Sequence, residues 1–263
     1  SIVVLTGASG GIGLELAEQL CHAGAQVLAV SRHMGKLASL MNRYPGSLRW
    51  QSADLRTQEG RAQVVTRARE LGGFNVLINA AGVNRFALLD QLDEQALDEL
   101  LDINLKAPLQ LTRACLPLLR EQPKALVVNV GSTYGSIGYP GYASYCASKF
   151  ALRGFSEALR RELADTPVNV LYVAPRATRT SMNSSAATAL NQALKVGMDD
   201  PVYVAKAVLQ AVQSERSELY LGWPEKMFVR LNGILPGLVD RALRKQLPLI
   251  RRHIGSHIKE PSK

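Results

Sequence analysis

Tyr145 and Lys149 stand four residues apart, a spacing that sets a phenol and an ammonium on one face of a helix. A free phenol loses its proton near pH ~10, and a neighbouring cation favours the phenolate, so the pair predicts an acid/base group tuned toward working pH. Ser132 lies thirteen residues before Tyr145, just past the β-branched run Ala125 to Val130. Its hydroxyl would polarise a carbonyl as charge develops on the oxygen.

A second group of residues supplies what such chemistry lacks. Thr6-Gly7-Ala8-Ser9-Gly10-Gly11-Ile12-Gly13 follows an apolar run and opens an amphipathic one, the context a dinucleotide-binding turn requires. Gly7 permits the tight turn, Gly11 lets backbone approach a pyrophosphate, and Gly13 lets the helix pack on the sheet. With Ser9 and Ile12, these are the candidate cofactor contacts, since free amides at a helix start face phosphate. A free ribose 2′-hydroxyl is usually held by a carboxylate roughly 20 residues further on. Here that place reads Val30-Ser31-Arg32-His33, with no acid. Arg32 can pair with a 2′-phosphate through two charge-assisted bonds and Ser31 can add a hydroxyl donor, which favours NADP(H) over NAD(H). His33 reads as a surface residue.

These residues need a scaffold. Short β-branched runs at Ile2 to Leu5, Gln26 to Val30, Leu48 to Gln51, Val76 to Asn79, Ala125 to Val130, Asn169 to Val173 and Leu219 to Leu221 alternate with longer amphipathic stretches. Helices are expected at Ile12 to Ala23, Arg61 to Leu71, Leu97 to Leu119, Tyr142 to Ala164 and Pro201 to Val212, the last capped by Asp200. The alternation predicts an α/β fold: a Rossmann-type, doubly wound, seven-stranded parallel sheet with helices on both faces and a C-terminal amphipathic helical extension. Residues 1–221 would form the catalytic unit, with 222–263 an extension of the same domain. Residues 181–197 read as a mobile loop with one short helix.

At 263 residues and 47% hydrophobic, the chain has the composition of one sizeable core. Cys21, Cys115 and Cys146 are odd in number and lack metal-ligand spacing, so no disulfide framework and no metal site is expected. With no signal-like start and no apolar run of membrane-spanning length, a cytoplasmic protein is expected, surface attachment staying open. The net charge is +9. From Leu221 onward, nine cations (Lys226, Arg230, Arg241, Arg244, Lys245, Arg251, Arg252, Lys259, Lys263) face only Glu225, Asp240 and Glu260, so six of those charges sit in the tail. Nucleic-acid binding would rest on that tail alone and is not expected.

Taken with Asp54-Leu55, Asn79-Ala80-Ala81-Gly82 and Asn104, the glycine turn, Ser132 and the Tyr145-x-x-x-Lys149 pair make the chain resemble the short, single-domain branch of the short-chain dehydrogenase/reductase family. The resemblance covers nearly everything up to Leu221. It implies that Asp54 and Leu55 flank the adenine and that Asn79, Ala80 and Gly82 support the middle of the cofactor. It further implies that Lys149 also binds the nicotinamide ribose, and that Asn104 holds a water linking Lys149 to solvent as a proton relay, by which Tyr145 is re-protonated. Pro175 and Thr180 match a loop near the carboxamide, but Arg176 stands where the family usually has glycine. Facing outward Arg176 would be harmless; facing the pocket it would narrow it or favour an anionic substrate. The expected reaction is NADPH-dependent, reversible reduction of a bulky, apolar ketone or aldehyde by a homodimer or homotetramer pairing through Leu97 to Leu119 and Tyr142 to Ala164. A non-catalytic NADP(H)-binding sensor is the alternative.

In the tail, Met227, Phe228, Leu231, Ile234, Leu235, Leu238 and Ala242 recur at helical spacing around Pro236-Gly237, which predicts two amphipathic helices joined by a kink. Such an apolar stripe edged by cations suits a lid over the cleft, a subunit contact or a membrane surface.

Overall fold

The computed structural model describes residues 1–257; Lys259, Glu260 and Lys263 of the basic tail lie outside the described residues. Along the chain run β1 (Ile2–Thr6), α1 (Gly11–His22), β2 (Gln26–Ser31), α2 (Leu37–Arg43), β3 (Leu48–Ser52), α3 (Gln58–Glu70) and β4 (Val76–Asn79). Then follow α4 (Glu94–Leu101), α5 (Ala107–Arg120), β5 (Ala125–Val130), α6 (Ala143–Glu162), β6 (Val168–Ala174), α7 (Ser185–Ala193), α8 (Pro201–Gln213), β7 (Glu218–Tyr220), α9 (Glu225–Ile234) and α10 (Pro236–His257).

The seven strands pair in the order β3-β2-β1-β4-β5-β6-β7, every pair parallel. Alternation along each strand loads both faces: Val3, Leu5, Val27 and Ala29 join a core with α1, α2 and α8, whereas Val4, Leu28 and Val30 join a second with α3, α5 and α6. Strand order reverses direction between β1 and β4, and the crevice above their C-terminal ends is where an open α/β sheet holds ligands.

The expected strands are present. The helix predicted from Leu97 begins earlier, because Asp93 caps it by accepting the Ala96 amide at 2.6 Å. Its middle is a π turn, Asp102–Lys106, in which the Ala107 amide reaches the Asp102 carbonyl. That turn carries Asn104 into the core, and apolar periodicity has no means of announcing it. The loop at 181–197 holds α7, capped by the Ser184 hydroxyl.

The tail forms two helices that part at Pro236, as its pattern predicts. The stripe, however, does not bury as one face. Val239, Ile250 and Ile254 turn inward, with Ile250 and Ile254 packing on Leu190 of α7, while Ile234, Leu235 and Leu238 stay exposed. Docking on α7 selects the other side of α10, a choice made by the partner rather than by the helix. Among the described residues no helix is long and apolar enough to cross a membrane.

Candidate active site

A cleft of about 850 Å³ opens over the C-terminal ends of β1, β4, β5 and β6. One end is lined by the glycine turn, Ser31, Arg32, Asp54 and Leu55, and its middle by Ala80, Gly82, Lys149 and Ser132. Tyr145, Pro175, Thr180 and the roof residues Phe228, Val239, Leu243 and Gln246 complete it. Gly7, Ser9, Gly11, Ile12 and Gly13 all border it. Gly7 has φ +66°, and a Cβ there would lie 2.7 Å from the Ala81 backbone, so the turn can sit against the β4 loop only as glycine. Thr6 holds that loop in place: its hydroxyl accepts the amides of Ala80 at 3.0 Å and Ala81 at 3.2 Å.

α6 presents Tyr145 and Lys149 to the cleft, with the Lys149 ammonium 5.6 Å from the Tyr145 ring centre. Lys149 is only 4% exposed and donates to the Val130 carbonyl at 3.1 Å. Burial pulls its pKa down to about 8 and pushes the Tyr145 phenol up to about 12, with the Ser132 hydroxyl opposing the latter as a hydrogen-bond partner. The spacing of the pair predicts a phenol lowered by the Lys149 cation, whereas the direction here is upward, with burial the largest cause.

Ser132 is held from below. Its hydroxyl accepts the Tyr134 amide at 3.1 Å, and the fully buried Tyr172 donates its phenol to the Ser132 carbonyl at 3.2 Å. Any side chain at Gly131 would collide with the Tyr172 ring. Asn104 and Asn79 do not line the cleft. Asn104 accepts the Val83 amide at 2.8 Å and donates to the Val83 carbonyl at 2.9 Å and to Ser148 at 3.2 Å. It thereby ties the β4 loop to α6. A Cβ on Gly82 would lie 3.3 Å from the Asn104 side-chain oxygen and 3.7 Å from the Lys149 ammonium, so both border one bare backbone face. Asn79 lies beneath, donating to Thr112 at 3.1 Å and Asn129 at 2.9 Å; its place is in the scaffold.

At the far end Arg32 is exposed and its charge helps hold the Asp54 carboxyl below the usual range, after the larger effect of the Arg56 side chain that clamps Asp54 at 2.6 to 3.0 Å. Ser31 borders the cleft, but its proton goes to the His33 carbonyl at 2.8 Å and its oxygen accepts from Trp50 at 3.0 Å. The donor expected of it is spent. Arg176 turns to acids rather than into open space: it bonds Asp199 at 2.7 and 2.9 Å and Glu225 of α9 at 3.3 Å. It fastens the loop after β6 to the roof.

Sequence reasoning missed the aromatic wall beside Tyr145. Tyr134 and Tyr139 stack at 5.1 Å, Phe86 and Tyr142 at 4.9 Å, and both Tyr134 and Tyr142 meet Tyr145 edge-on. The signal was available, since four of the eight tyrosines fall within residues 134–145.

The cleft suits a dinucleotide: the glycines of the turn and Gly82 offer it backbone, and a buried ammonium borders it midway. Comparison with known proteins agrees. The short chain dehydrogenase family profile matches residues 1–191. An uncharacterized oxidoreductase of Bacillus subtilis (strain 168), YxnA, is 30% identical over 272 residues, spanning 99% of this chain and 75% of that protein. The ketoacyl reductase HetN of Nostoc sp. (strain PCC 7120) is 30% identical across 92% of this chain and 88% of its own. A crystal structure of a short chain dehydrogenase from Burkholderia cenocepacia J2315, in complex with NADP, superposes with a TM-score of 0.78 at 25% identity, covering 92% of this chain and 96% of that one. With the glycine turn, Ser132, Tyr145 and Lys149 gathered on one cleft and the profile covering most of the chain's length, this chain belongs to the short-chain dehydrogenase/reductase family and is a nicotinamide-dinucleotide-dependent oxidoreductase.

Proposed function

We propose that the protein is an NADPH-dependent reductase of a bulky, apolar ketone or aldehyde, with the protonated Tyr145 as the acid. The observation that carries this reading is the Tyr145 phenol beside the Ser132 hydroxyl and the buried Lys149 ammonium, at the junction of the glycine-lined groove and the aromatic wall. A phenol that stays protonated at neutral pH is in the form reduction needs.

When bound, the nicotinamide supplies hydride in reduction and accepts it in oxidation. Ser132 donates to the carbonyl oxygen, and Tyr145 gives it a proton as negative charge grows there. Lys149 stabilises the phenolate left behind and, placed beside Gly82, meets the ribose hydroxyls. Asn104 braces the Val83 segment and α6, and a water relay to Lys149 would start from it. Arg32 takes the 2′-phosphate by charge, without Ser31. Asp54, already fixed by Arg56, and Leu55 flank the adenine. Gly7, Ser9, Gly11, Ile12 and Gly13 offer backbone to the pyrophosphate, Ala80 and Gly82 support the middle, and Pro175 and Thr180 border the carboxamide. Arg176 borders the cleft and is only half-buried, but Asp199 and Glu225 already pair its guanidinium, which weakens the case for an anionic substrate. Pairing of two copies through α4, α5 and α6 gives the dimer, and a further, separate contact through the final strand would give a tetramer.

Tyr145→Phe tests the assignment. NADPH binding, read by fluorescence, stays within about twofold, while NADPH oxidation across a panel of apolar ketones and aldehydes falls by about 10³-fold. Undiminished turnover would remove Tyr145 from its role. A parent chain that binds NADPH tightly but turns over no member of the panel would favour the sensor reading.

A further inference from the structure

The roof leaves one surface that the cleft does not use. Ile234 is 77% exposed and Leu235 and Leu238 are 50% exposed, all gathered where α9 turns into α10 at Pro236. Met227, seven residues before Ile234, shares its helical face, and Trp223, 73% exposed, precedes it. Such a run of large apolar side chains in solvent is costly unless something covers it.

Cations edge this knuckle. Arg230 lies four residues before Ile234, and Arg241 and Lys245 lie three and seven after Leu238, so helical spacing sets them alongside. None of Lys226, Arg230, Arg241, Arg244 or Lys245 pairs with a carboxylate among the described residues. A second copy bound by the same face would bring these cations together across a twofold axis, which like-charge repulsion opposes. A surface that is apolar beneath and anionic above fits both features.

We propose that the α9–α10 knuckle docks on the surface of an anionic lipid bilayer. Ile234, Leu235 and Leu238 enter the boundary between headgroups and acyl chains, and the flanking cations rest on the headgroups. Phe228, on the same short helix, lines the cleft and is itself 39% exposed, so the docked face adjoins the substrate end. Delivery of an apolar carbonyl compound from the bilayer rests on the reductase reading above; the docking does not.

The test is flotation of the full chain with vesicles of phosphatidylcholine alone and of phosphatidylcholine mixed with phosphatidylglycerol. The parent binds the mixed vesicles, and added salt weakens that binding. The double variant Ile234→Asn/Leu238→Asn loses it, and Arg241→Gln/Lys245→Gln weakens it roughly fivefold per cation removed. Unchanged thermal melting and NADPH binding show that both variants fold. Absence of binding by the parent to mixed vesicles overturns the proposal, as does full binding by the Asn variant. A parent that ignores vesicles but forms a larger species that the Asn variant breaks assigns the knuckle to a second copy, and also overturns it. Vesicle binding without any carbonyl reduction would sink the reductase reading and leave docking in place.

Discussion

The floor of the cleft is tied down through buried polar groups, whereas its roof is held mainly by apolar contact. Below, Thr6 fixes the β4 loop, Asn79 joins β4 to β5 and α5, Asn104 joins that loop to α6, and Tyr172 supports Ser132. Above, among the described residues, α9 and α10 rest on Leu190 through Ile250 and Ile254, on the Arg176–Glu225 ion pair, and on hydrogen bonds from Asn232 to the Ser136 carbonyl and from Tyr139 to Gln246. Buried hydrogen bonds are directional and expensive to leave unmade, so the floor has one geometry. Apolar contact is non-directional, so the roof can change residues while still covering the cleft. The proposed acid/base groups sit on the first kind of wall; the proposed substrate end lies against the second.

The largest loss of activity is expected at Lys149, on the floor. Lys149→Met is expected to lower kcat/KM for any reducible carbonyl by about 10²- to 10³-fold, because it removes the charge that stabilises the phenolate. The same change should stabilise the fold. Lys149 holds its proton less well folded, at about 8, than at its ordinary 10.5, so between those values the unfolded chain binds more protons and stability rises with pH. Below about pH 8 the full cost of the buried ammonium is present, on the order of 3 kcal/mol. The variant should therefore melt higher than the parent at neutral pH, the gap closing as pH rises toward 10.5. A parallel pair of melting curves across that range would show the cost assigned to the wrong group.

Roof changes should touch substrate and spare the cofactor. Ile250→Ala empties a fully buried position and is expected to cost about 2–4 kcal/mol, read by denaturant unfolding, and to raise KM for apolar carbonyls while NADPH affinity holds. Equal damage to NADPH affinity would end the division into two walls. Arg176→Gly restores the residue usual in the family and leaves Asp199 buried without its cation, at a cost of about 1–3 kcal/mol. Faster proteolytic cleavage within α9 checks that Arg176 fastens the roof. The smallest effect, about 1 kcal/mol, is expected for Tyr172→Phe, which lowers kcat a few-fold with NADPH binding unchanged. A fall in binding instead of kcat would detach Tyr172 from Ser132.

By itself the sequence determined the strand-helix alternation, hence the seven-stranded parallel sheet and its crevice. It also determined which motif residues could meet there, because the glycine turn, Ser132 and the Tyr145–Lys149 pair are local patterns whose spacing carries their geometry. Only the tertiary structure decided what surrounds them. Ser31 loses its free proton to a carbonyl two residues away, Asn79 drops out of the cleft into the scaffold, and Arg176 finds acids 23 and 49 residues distant. Tyr145 gains a raised rather than a lowered pKa because burial depends on everything packed around it, and one face of α10 turns inward because α7 lies there. Those outcomes are sums over contacts distant in the chain, which periodicity and spacing do not encode.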